Sequence, residues 1–500
     1  MRLLSVCLAA LVLAACSSSE GGGDDGPTAG QIPDKAGMTV KGIVKDSAGN
    51  GIAGVVVSDG LEVTATDERG IYYLASDLAR RNFVFVSVPA DCEIPATQGC
   101  PRFYRKIDRK QAVNRADFTL TRRKTPSDRH SLIVMADIQL AADNTSVDSY
   151  LGHVVPDVLK TVQGLPTEVY GVSLGDLVWN DMSLFPKYRQ GLETLGFTTF
   201  SLPGNHDHDP AELTDSLALQ SYERYFGPAN YSVNIGKIHY LFLDNILFDH
   251  APTAEEEYTI GLTDEICRWI EADLRYVPAG STLVVSSHCP ILYHTKNTAA
   301  RNHRNFQRFL DAISPYKVHA FGGHKHYHDI YRYDDGRKVM HCIARTPGDL
   351  FINGDVNCDG TPRGYAVVEV DGERLSWYYK PAGGKRDMQM RLYAPGHTHS
   401  ACVYANVWGY DTAWSAVEWI PASGGQAVAM ERTQRTDPYY EEVLATGVRG
   451  GTPTNTWHMF RVDPGSERGG MVRVTDSFGH TYESVSYTHL RAHETPEHLV

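Results

Sequence analysis

The sequence predicts an α/β domain between two β-rich domains, and three observations lead to this fold class. After Arg122-Arg123-Lys124, short apolar runs alternate with longer segments of helical period, which is the layout of α/β proteins. Before that point, and again beyond about residue 385, short strand-like segments are broken by turn residues such as Gly49-Asn50-Gly51. A chain of 500 residues is also too long for a single core, so several domains are expected.

Changes in composition along the chain set the expected domain boundaries. We expect a signal peptide at 1–16, a flexible linker at 17–37, an N-terminal immunoglobulin-like β-sandwich at 38–122, the α/β domain at 126–385, a C-terminal β domain at 386–485 and a non-native tail at 486–500. The tail resembles a translated sequencing adapter, so its histidines are given no functional role. The N-terminal sandwich contains no cluster of catalytic residue types, and we expect it to act as a spacer or binding module.

The first residues have the pattern of an export signal. Arg2 is followed by an apolar run that is too short to span a bilayer, and the run ends in Leu13-Ala14-Ala15-Cys16. This ending resembles a bacterial lipobox, so we expect a lipid on Cys16 and a location in the cell envelope, in the periplasm or on the outer-membrane surface. The alternative is an ordinary secretory signal with an incidental cysteine.

The net charge limits the classes of partner that we expect, and the cysteine content bears on the redox state of the compartment. The net charge of −13 disfavours nucleic acid as the main partner, because binding its phosphates requires a broad basic surface. Cys92 and Cys100 lie close together in one loop-like stretch, and an oxidising compartment makes a disulfide between them plausible. The remaining cysteines of the mature chain are scattered without zinc-finger spacing, and we expect most of them to be buried apolar residues.

Two helices of the central domain are indicated by apolar residues at helical spacing. Thr263 is a good N-cap for the first, since Asp264 and Glu265 follow it. The first helix has its apolar face at Leu262, Ile266, Trp269, Ile270 and Leu274, and the second at Phe306, Phe309, Leu310 and Ile313.

Five apolar runs in the central domain each end in residues that can bind a metal ion. The five endings are Asp137-Ile138-Gln139, Gly175-Asp176, Gly204-Asn205-His206-Asp207, His288 and Gly322-Gly323-His324-Lys325-His326. In α/β folds, ligands collect at the carboxyl ends of strands. Any one of these endings has an ordinary structural explanation, but five strands that deliver Asp, Asn and His to one edge would build a single site.

In this order, the five endings resemble the motifs of the calcineurin-like metallophosphoesterase family. The resemblance covers residues 128 to 385, and the flanking regions are similar to a bacterial subgroup with an N-terminal sandwich and a C-terminal β domain. It implies a β-sandwich flanked by helices, two divalent metal ions, and hydrolysis of a phosphate mono- or diester by a metal-bridging hydroxide.

The resemblance also implies a role for each motif residue. One metal ion would be held by Asp137, Gln139, Asp176 and His326, and the other by Asp176, Asn205, His288 and His324, with Asp176 bridging the two. His206 would face the leaving oxygen without binding metal, and Asp207 would orient its ring. The alternative for His206 is a structural histidine near the metals.

The chain departs from the family pattern at Gln139, where the family usually has histidine. An amide oxygen is a harder ligand than imidazole, so we expect a weaker first site that favours Mn²⁺ or Mg²⁺ over Zn²⁺. The identity of the two divalent metals, which could be Mn, Fe, Zn or Mg, is therefore left open.

Several residues near the motifs are candidates for contacting the substrate, although a packing or surface role is an equal alternative for each. They are Trp179, Asn180, His208, Tyr293, His294, His328 and Arg363.

The sequence leaves two functions to be compared. The first is a phosphoesterase of the cell envelope. The second is a glycan- or protein-binding surface lipoprotein whose phosphoesterase domain is vestigial. Side chains able to bind metal at all seven ligand positions, together with His206, favour the enzyme. Neither the choice between mono- and diesters nor the oligomeric state follows from the sequence.

Overall fold

The computed structural model describes residues 32–142, 145–248, 258–292, 303–333, 336–349, 355–398, 400–446, 451–467 and 469–487. The predicted signal peptide with Cys16, the first part of the linker, Tyr293, His294 and residues 488–500 lie outside these ranges. Within them, no helix has both the length and the apolar character needed to cross a bilayer.

The N-terminal domain consists of two small facing sheets. Its strands are β1 (Val40–Asp46), β2 (Val56–Ser58), β3 (Val63–Ala65), β4 (Ile71–Leu74), β5 (Phe83–Ser87), β6 (Ala96–Thr97), β7 (Cys100–Pro101), β8 (Tyr104–Lys106), β9 (Asn114–Arg115) and β10 (Phe118–Leu120). One sheet has the order β10-β1-β4, with β9 also paired to β1, and the other has the order β3-β2-β5-β8.

The central domain is a sandwich of two larger sheets. Its strands are β11 (Arg129–Met135), β12 (Glu168–Ser173), β13 (Thr199–Ser201), β14 (Tyr231–Ile235), β15 (Ile238–Leu243), β16 (Ile246–Leu247), β17 (Thr259–Ile260), β18 (Thr282–Ser287), β19 (Lys317–Gly322), β20 (Asp329–Tyr333), β21 (Lys338–Cys342), β22 (Gly364–Asp371) and β23 (Arg374–Pro381). The sheets run β13-β12-β11-β22-β23 and β14-β15-β18-β19-β21-β20.

Helices cover the outer faces of this sandwich. They are α1 (Thr145–Ser149), continued by a π-helical turn (Tyr150–Val154), α2 (Val155–Gln163), α3 (Phe185–Leu195), α4 (Asp215–Ala218), α5 (Gln220–Phe226), α6 (Asp264–Asp273) and α7 (Phe306–Ala312), with 3-10 turns at Met182–Leu184, Asn205–Asp207 and Leu274–Tyr276. Along β11, Leu132 and Val134 enter the core between the sheets, whereas Ile133 and Met135 pack towards α2 and α3.

Both helices predicted in detail are confirmed. Thr263 caps α6 by accepting a hydrogen bond from the amide of Ile266 at 3.1 Å. Trp269 is buried on this helix and meets Phe85 of the N-terminal domain edge to face, with ring centroids 6.1 Å apart. The apolar face of α6 therefore contributes to the contact between the N-terminal domain and the central sandwich.

The C-terminal domain again consists of two sheets. Its elements are β24 (Arg391–Tyr393), β25 (Val403–Asn406), β26 (Glu418–Pro421), β27 (Val428–Ala429), β28 (Glu431–Arg435), α8 (Pro438–Ala445), β29 (Thr456–Val462), β30 (Gly469–Thr475) and β31 (Thr481–Tyr487). The sheets run β24-β25-β29-β28 and β27-β26-β30-β31. Ser486 and Tyr487, assigned to the non-native tail from the sequence, are the last residues of β31.

The predicted disulfide between Cys92 and Cys100 is wrong, because both residues are buried free thiols. Cys92 packs in the core that the N-terminal domain shares with the space between the central sheets. Cys100 instead packs with the residues beneath α2 and α3. The two side chains therefore lie in different cores even though the residues are close in sequence.

Candidate metal centre

The carboxyl ends of five strands of the sandwich bring together the residues singled out from the sequence. Asp137 follows β11, Asp176 follows β12, Asn205 follows β13, and His288 follows β18 directly. His324 and His326 follow β19. Because the two sheets face each other, these loops meet at one end of the sandwich.

The backbone is strained at several of these positions. Five of the motif residues have positive φ angles, a backbone conformation that is unfavourable for residues other than glycine. The angles are 51° at Asp137, 49° at Gln139, 51° at Asp176, 66° at His324 and 53° at His326. Strained backbone of this kind concentrates at functional sites, where the surrounding structure holds it in place.

Asp137, Asp176 and His326 form one group of candidate ligands. One donor atom from each of these residues lies within 4.8 Å of the others. His326 Nε2 is 3.3 Å from Asp137 Oδ1. The Asp137 carboxylate also accepts a hydrogen bond from the amide of His324 at 2.9 Å, which fixes its orientation.

Asn205, His288 and His324 form a second group around the same Asp176. His288 Nε2 is 3.3 Å from Asp176 Oδ1 and 3.0 Å from Asn205 Oδ1. His324 Nδ1 is 3.1 Å from Asn205 Oδ1. The other ring nitrogen of His288 contacts the carbonyl of Leu174 at 2.8 Å, the kind of support that orients metal-binding histidines.

The electrostatics of the cluster fit bound cations. Burial by itself disfavours charge on both groups, yet His288 and Asp176 stabilise each other's charged forms: the pKa of His288 rises to about 9 and that of Asp176 falls below its usual range. Two buried carboxylates and three histidines that converge in this way are a donor set suited to divalent metals.

Gln139 presents its amide nitrogen to this cluster, and not the oxygen expected to bind metal, so its role as a ligand stays a prediction. Its Oε1 accepts a hydrogen bond from Arg345 Nε at 2.7 Å, and its Nε2 donates to Asp176 Oδ2 at 3.1 Å. A guanidinium has only donors, so the amide is fixed in this orientation. Arg345 is buried, and because it belongs to no recognisable motif the sequence did not single it out.

His206 lies beside the cluster, with its Nε2 4.0 Å from Asp176 Oδ2. Trp179 stacks on its ring with centroids 3.8 Å apart, and Nδ1 contacts Asn180 Oδ1 at 2.8 Å. Trp179 and Asn180, predicted as substrate contacts, thus hold the His206 ring.

Asp207 does not orient His206, contrary to the prediction. Its carboxylate accepts hydrogen bonds from the amides of Leu177 at 2.9 Å, Val178 at 3.1 Å and Gly204 at 2.9 Å. Asp207 therefore ties the Asp176 loop to the Asn205 loop. Burial raises its pKa to about 7, and the neighbouring charge of Asp176 contributes in the same direction.

The other predicted substrate contacts that the structure describes make no hydrogen bond or ion pair with the side chains of the metal ligands. His208 is fully buried, with Nδ1 2.8 Å from the carbonyl of Gly204 and Nε2 3.4 Å from Asp244 Oδ2, so it is a structural residue. His328 is buried against the ring of Tyr379. Among the described residues, no hydrogen bond or ion pair joins the Arg363 side chain to the cluster.

Comparisons with solved structures find distant similarity in fold. A dimetal phosphatase from Danio rerio is 12% identical with a TM-score of 0.38, over 50% of this chain and 96% of that one. A purple acid phosphatase from yellow lupin seeds is 12% identical with a TM-score of 0.36, over 66% of this chain and 67% of that one. A search of curated protein sequences finds no match.

Family models match all three domains. The model for calcineurin-like phosphoesterase matches residues 131–328. The models for the N terminal and the C terminal of calcineurin-like phosphoesterase match residues 38–123 and 341–482. The chain therefore belongs to the calcineurin-like phosphoesterase family and is a phosphoric ester hydrolase.

Proposed function

We propose that the chain hydrolyses a phosphate mono- or diester with two divalent metal ions, and that it works in a bacterial cell envelope, attached by a lipid on Cys16. The observation that carries the proposal is the meeting of Asp137, Asp176, His288 and His324 at the ends of separate strands, with His206 beside them.

The residues divide into two metal positions that share Asp176. Asp137, Asp176 and His326 would hold the first ion, and Asp176, Asn205, His288 and His324 the second. When bound, such a pair of ions supplies Lewis-acid activation of water and of the phosphate oxygens. A shared carboxylate between the positions offsets the repulsion between two cations.

We propose that His206 moves a proton at its Nε2. Asn180 Oδ1 faces Nδ1, so in this arrangement Nδ1 keeps its proton and Nε2 is the atom that gains or loses one. The carboxylate of Asp176 lies 4.0 Å from Nε2. A charged His206 can donate its Nε2 proton to the leaving oxygen as the ester bond breaks.

Turnover of p-nitrophenyl phosphate and bis-p-nitrophenyl phosphate with added Mn²⁺ tests the activity. We expect wild type to hydrolyse at least one of the two, and Asp176→Ala and His206→Ala each to lose activity by about 100-fold or more. His480→Ala, a change at a half-exposed ring in the C-terminal domain, is the matched control. Equal rates in wild type and both site variants would reject the enzyme and favour a binding lipoprotein with a vestigial site.

Fractionation of bacteria that express the full chain tests the location. We expect the chain in the membrane fraction, and a Cys16→Ser variant to be lost from it because the lipid has no attachment point. Equal membrane association of the two forms would contradict lipid anchoring while leaving the proposed activity untouched.

A further inference from the structure

The loop that carries His324 and His326 needs support from outside its own strand. Both residues have left-handed φ angles, and such a conformation persists only where its surroundings hold it. The supports come from the segment before β22 and from the C-terminal domain, and they reach the backbone at His326 and His328.

Three contacts hold this backbone. The carbonyl of His326 faces Cys358 Sγ at 3.4 Å. The amide of His328 donates to Asp359 Oδ2 at 2.9 Å, and the carbonyl of His328 accepts from His458 Nε2 at 2.9 Å. Both backbone polar groups of His328 are therefore engaged, two residues beyond the proposed metal ligand His326.

His458 belongs to β29 of the C-terminal domain, and it is itself held firmly. Its Nε2 is also 3.2 Å from Asp359 Oδ2, and its Nδ1 is 2.6 Å from Asn406 Oδ1 of β25. Asn406 donates from Nδ2 to the carbonyl of Asp359 at 2.9 Å and to Asp437 Oδ2 at 2.7 Å.

Asp437 connects this network to the rest of the C-terminal domain, because it is the N-cap of α8. Asp359, Asn406, Asp437 and His458 are each at most 2% exposed. A buried network in which every member has partners is rigid and specifies one arrangement.

We propose that the C-terminal β domain completes the metal centre, with His458 and Asp359 as positioning residues for the loop from His324 to His328. This proposal rests on the proposed function, because it requires His326 to bind the metal ion at the first position. The ring of His326 reaches Asp137 only if its strained backbone is held, so binding at this position depends on a domain that supplies no metal ligand.

The second metal position should depend less on this network. His288 and Asn205 come from other strands, and we expect the contacts of His288 with Asp176 and Asn205 to remain when the network is broken. His324 lies in the supported loop, but its own amide is held by the Asp137 carboxylate. A network that only joined two domains would, when broken, lower thermal stability without changing one metal affinity relative to the other. The ratio of the two affinities therefore separates positioning from simple domain contact.

Calorimetric titration of the full-length, metal-free chain with Mn²⁺, together with thermal denaturation, provides the test. We expect His458→Ala to weaken one Mn²⁺ equivalent by about tenfold or more and to leave the other within about twofold, because residues that hold metal ligands typically affect affinity on this scale. His458→Gln, whose amide can still donate to the His328 carbonyl, should recover part of the loss. The control His480→Ala should match wild type.

Asn406→Ser gives a milder version if His458→Ala does not fold, since it loosens His458 while leaving it in place. An unchanged ratio of the two affinities in the folded variants would overturn the proposal, and so would equal weakening of both equivalents. Folded wild type that binds no Mn²⁺ would instead reject the proposed function, so the two failures are distinguishable.

Discussion

Arg345 donates a hydrogen bond from Nε to Gln139 Oε1 at 2.7 Å, and this contact turns the amide nitrogen of Gln139 towards Asp176. An amide nitrogen carries hydrogens and cannot bind a cation. In this arrangement the proposed first metal position would have Asp137, Asp176 and His326 as ligands, whereas the proposed second position would have four protein ligands. We therefore expect the centre to load unequally.

Substitution of Gln139 tests this arrangement. Gln139→Met should leave the weaker Mn²⁺ affinity within about threefold of wild type, because a group that is not a ligand is removed. Gln139→Glu places an oxygen where the amide nitrogen lies and should tighten the weaker affinity by about tenfold, a change of about 1.4 kcal/mol. Calorimetric titration measures both. A loss of the weaker equivalent in Gln139→Met would show that Gln139 is a ligand.

The contact between Asn180 and His206 predicts an effect on catalysis without an effect on metal content. Asn180→Ala frees the ring to change its orientation, so we expect kcat to fall by about 10- to 100-fold, which is part of the roughly 100- to 10,000-fold that general acid catalysis contributes. Asp181→Asn is the control, because its side chain caps the neighbouring turn at Ser183. Metal analysis by mass spectrometry should give equal content in all three proteins. Unchanged kcat in Asn180→Ala would contradict the role given to Asn180.

The hydrogen bonds that Asp207 accepts predict that its replacement lowers the free energy of unfolding strongly. Asp207→Ala leaves the buried amides of Leu177, Val178 and Gly204 without their acceptor. Each lost partner costs about 1–3 kcal/mol, so we expect the free energy of unfolding to fall by about 3–5 kcal/mol after partial relaxation. Urea denaturation of the metal-free protein measures this. A change below about 1 kcal/mol would mean that the carboxylate does not hold the two loops together.

Glu223 predicts a pH dependence of stability. Burial raises its pKa to about 7, and Asn82 Nδ2 donates to its carboxylate across the contact with the N-terminal domain. Since the folded protein binds the proton more tightly, the stabilisation is complete below the unfolded pKa near 4.5 and is lost as pH rises through 7. We expect this group to contribute a loss of about 1–3 kcal/mol between pH 4.5 and pH 8.

Calorimetry of wild type and Glu223→Gln across this range isolates the contribution, because the amide can still accept from Asn82 but does not titrate. The variant should lose less stability than wild type as the pH rises. Parallel stability curves for the two proteins would contradict the assignment.

The layout of the fold and most of the ligand cluster could be predicted from the sequence, because both follow from local patterns. An apolar run that ends in Asp, Asn or His marks a strand that delivers a ligand to the sheet edge, and five such runs identified one site. Likewise, Thr263 predicted the start of α6, and the spacing of the apolar residues that follow it predicted which face of the helix is buried.

The wrong or missing predictions concern residues whose contacts depend on the direction of the side chain or on partners that are distant in sequence. Adjacent residues of the 3-10 turn at Asn205–Asp207 point about 120° apart, so being next to His206 did not place Asp207 on its ring. Cys92 and Cys100 are near in sequence but enter different cores. Arg345 and His458 act through hydrogen bonds to residues more than a hundred positions away, and no local pattern reveals such contacts.

Anomalous diffraction from crystals of the full chain soaked in Mn²⁺ tests the central claim most directly. The proposal requires two manganese peaks, one on each side of the Asp176 carboxylate. The stronger peak should lie beside His288 and the weaker peak beside His326. A well-ordered Asp176 with no manganese peak beside it, at saturating Mn²⁺, would contradict it.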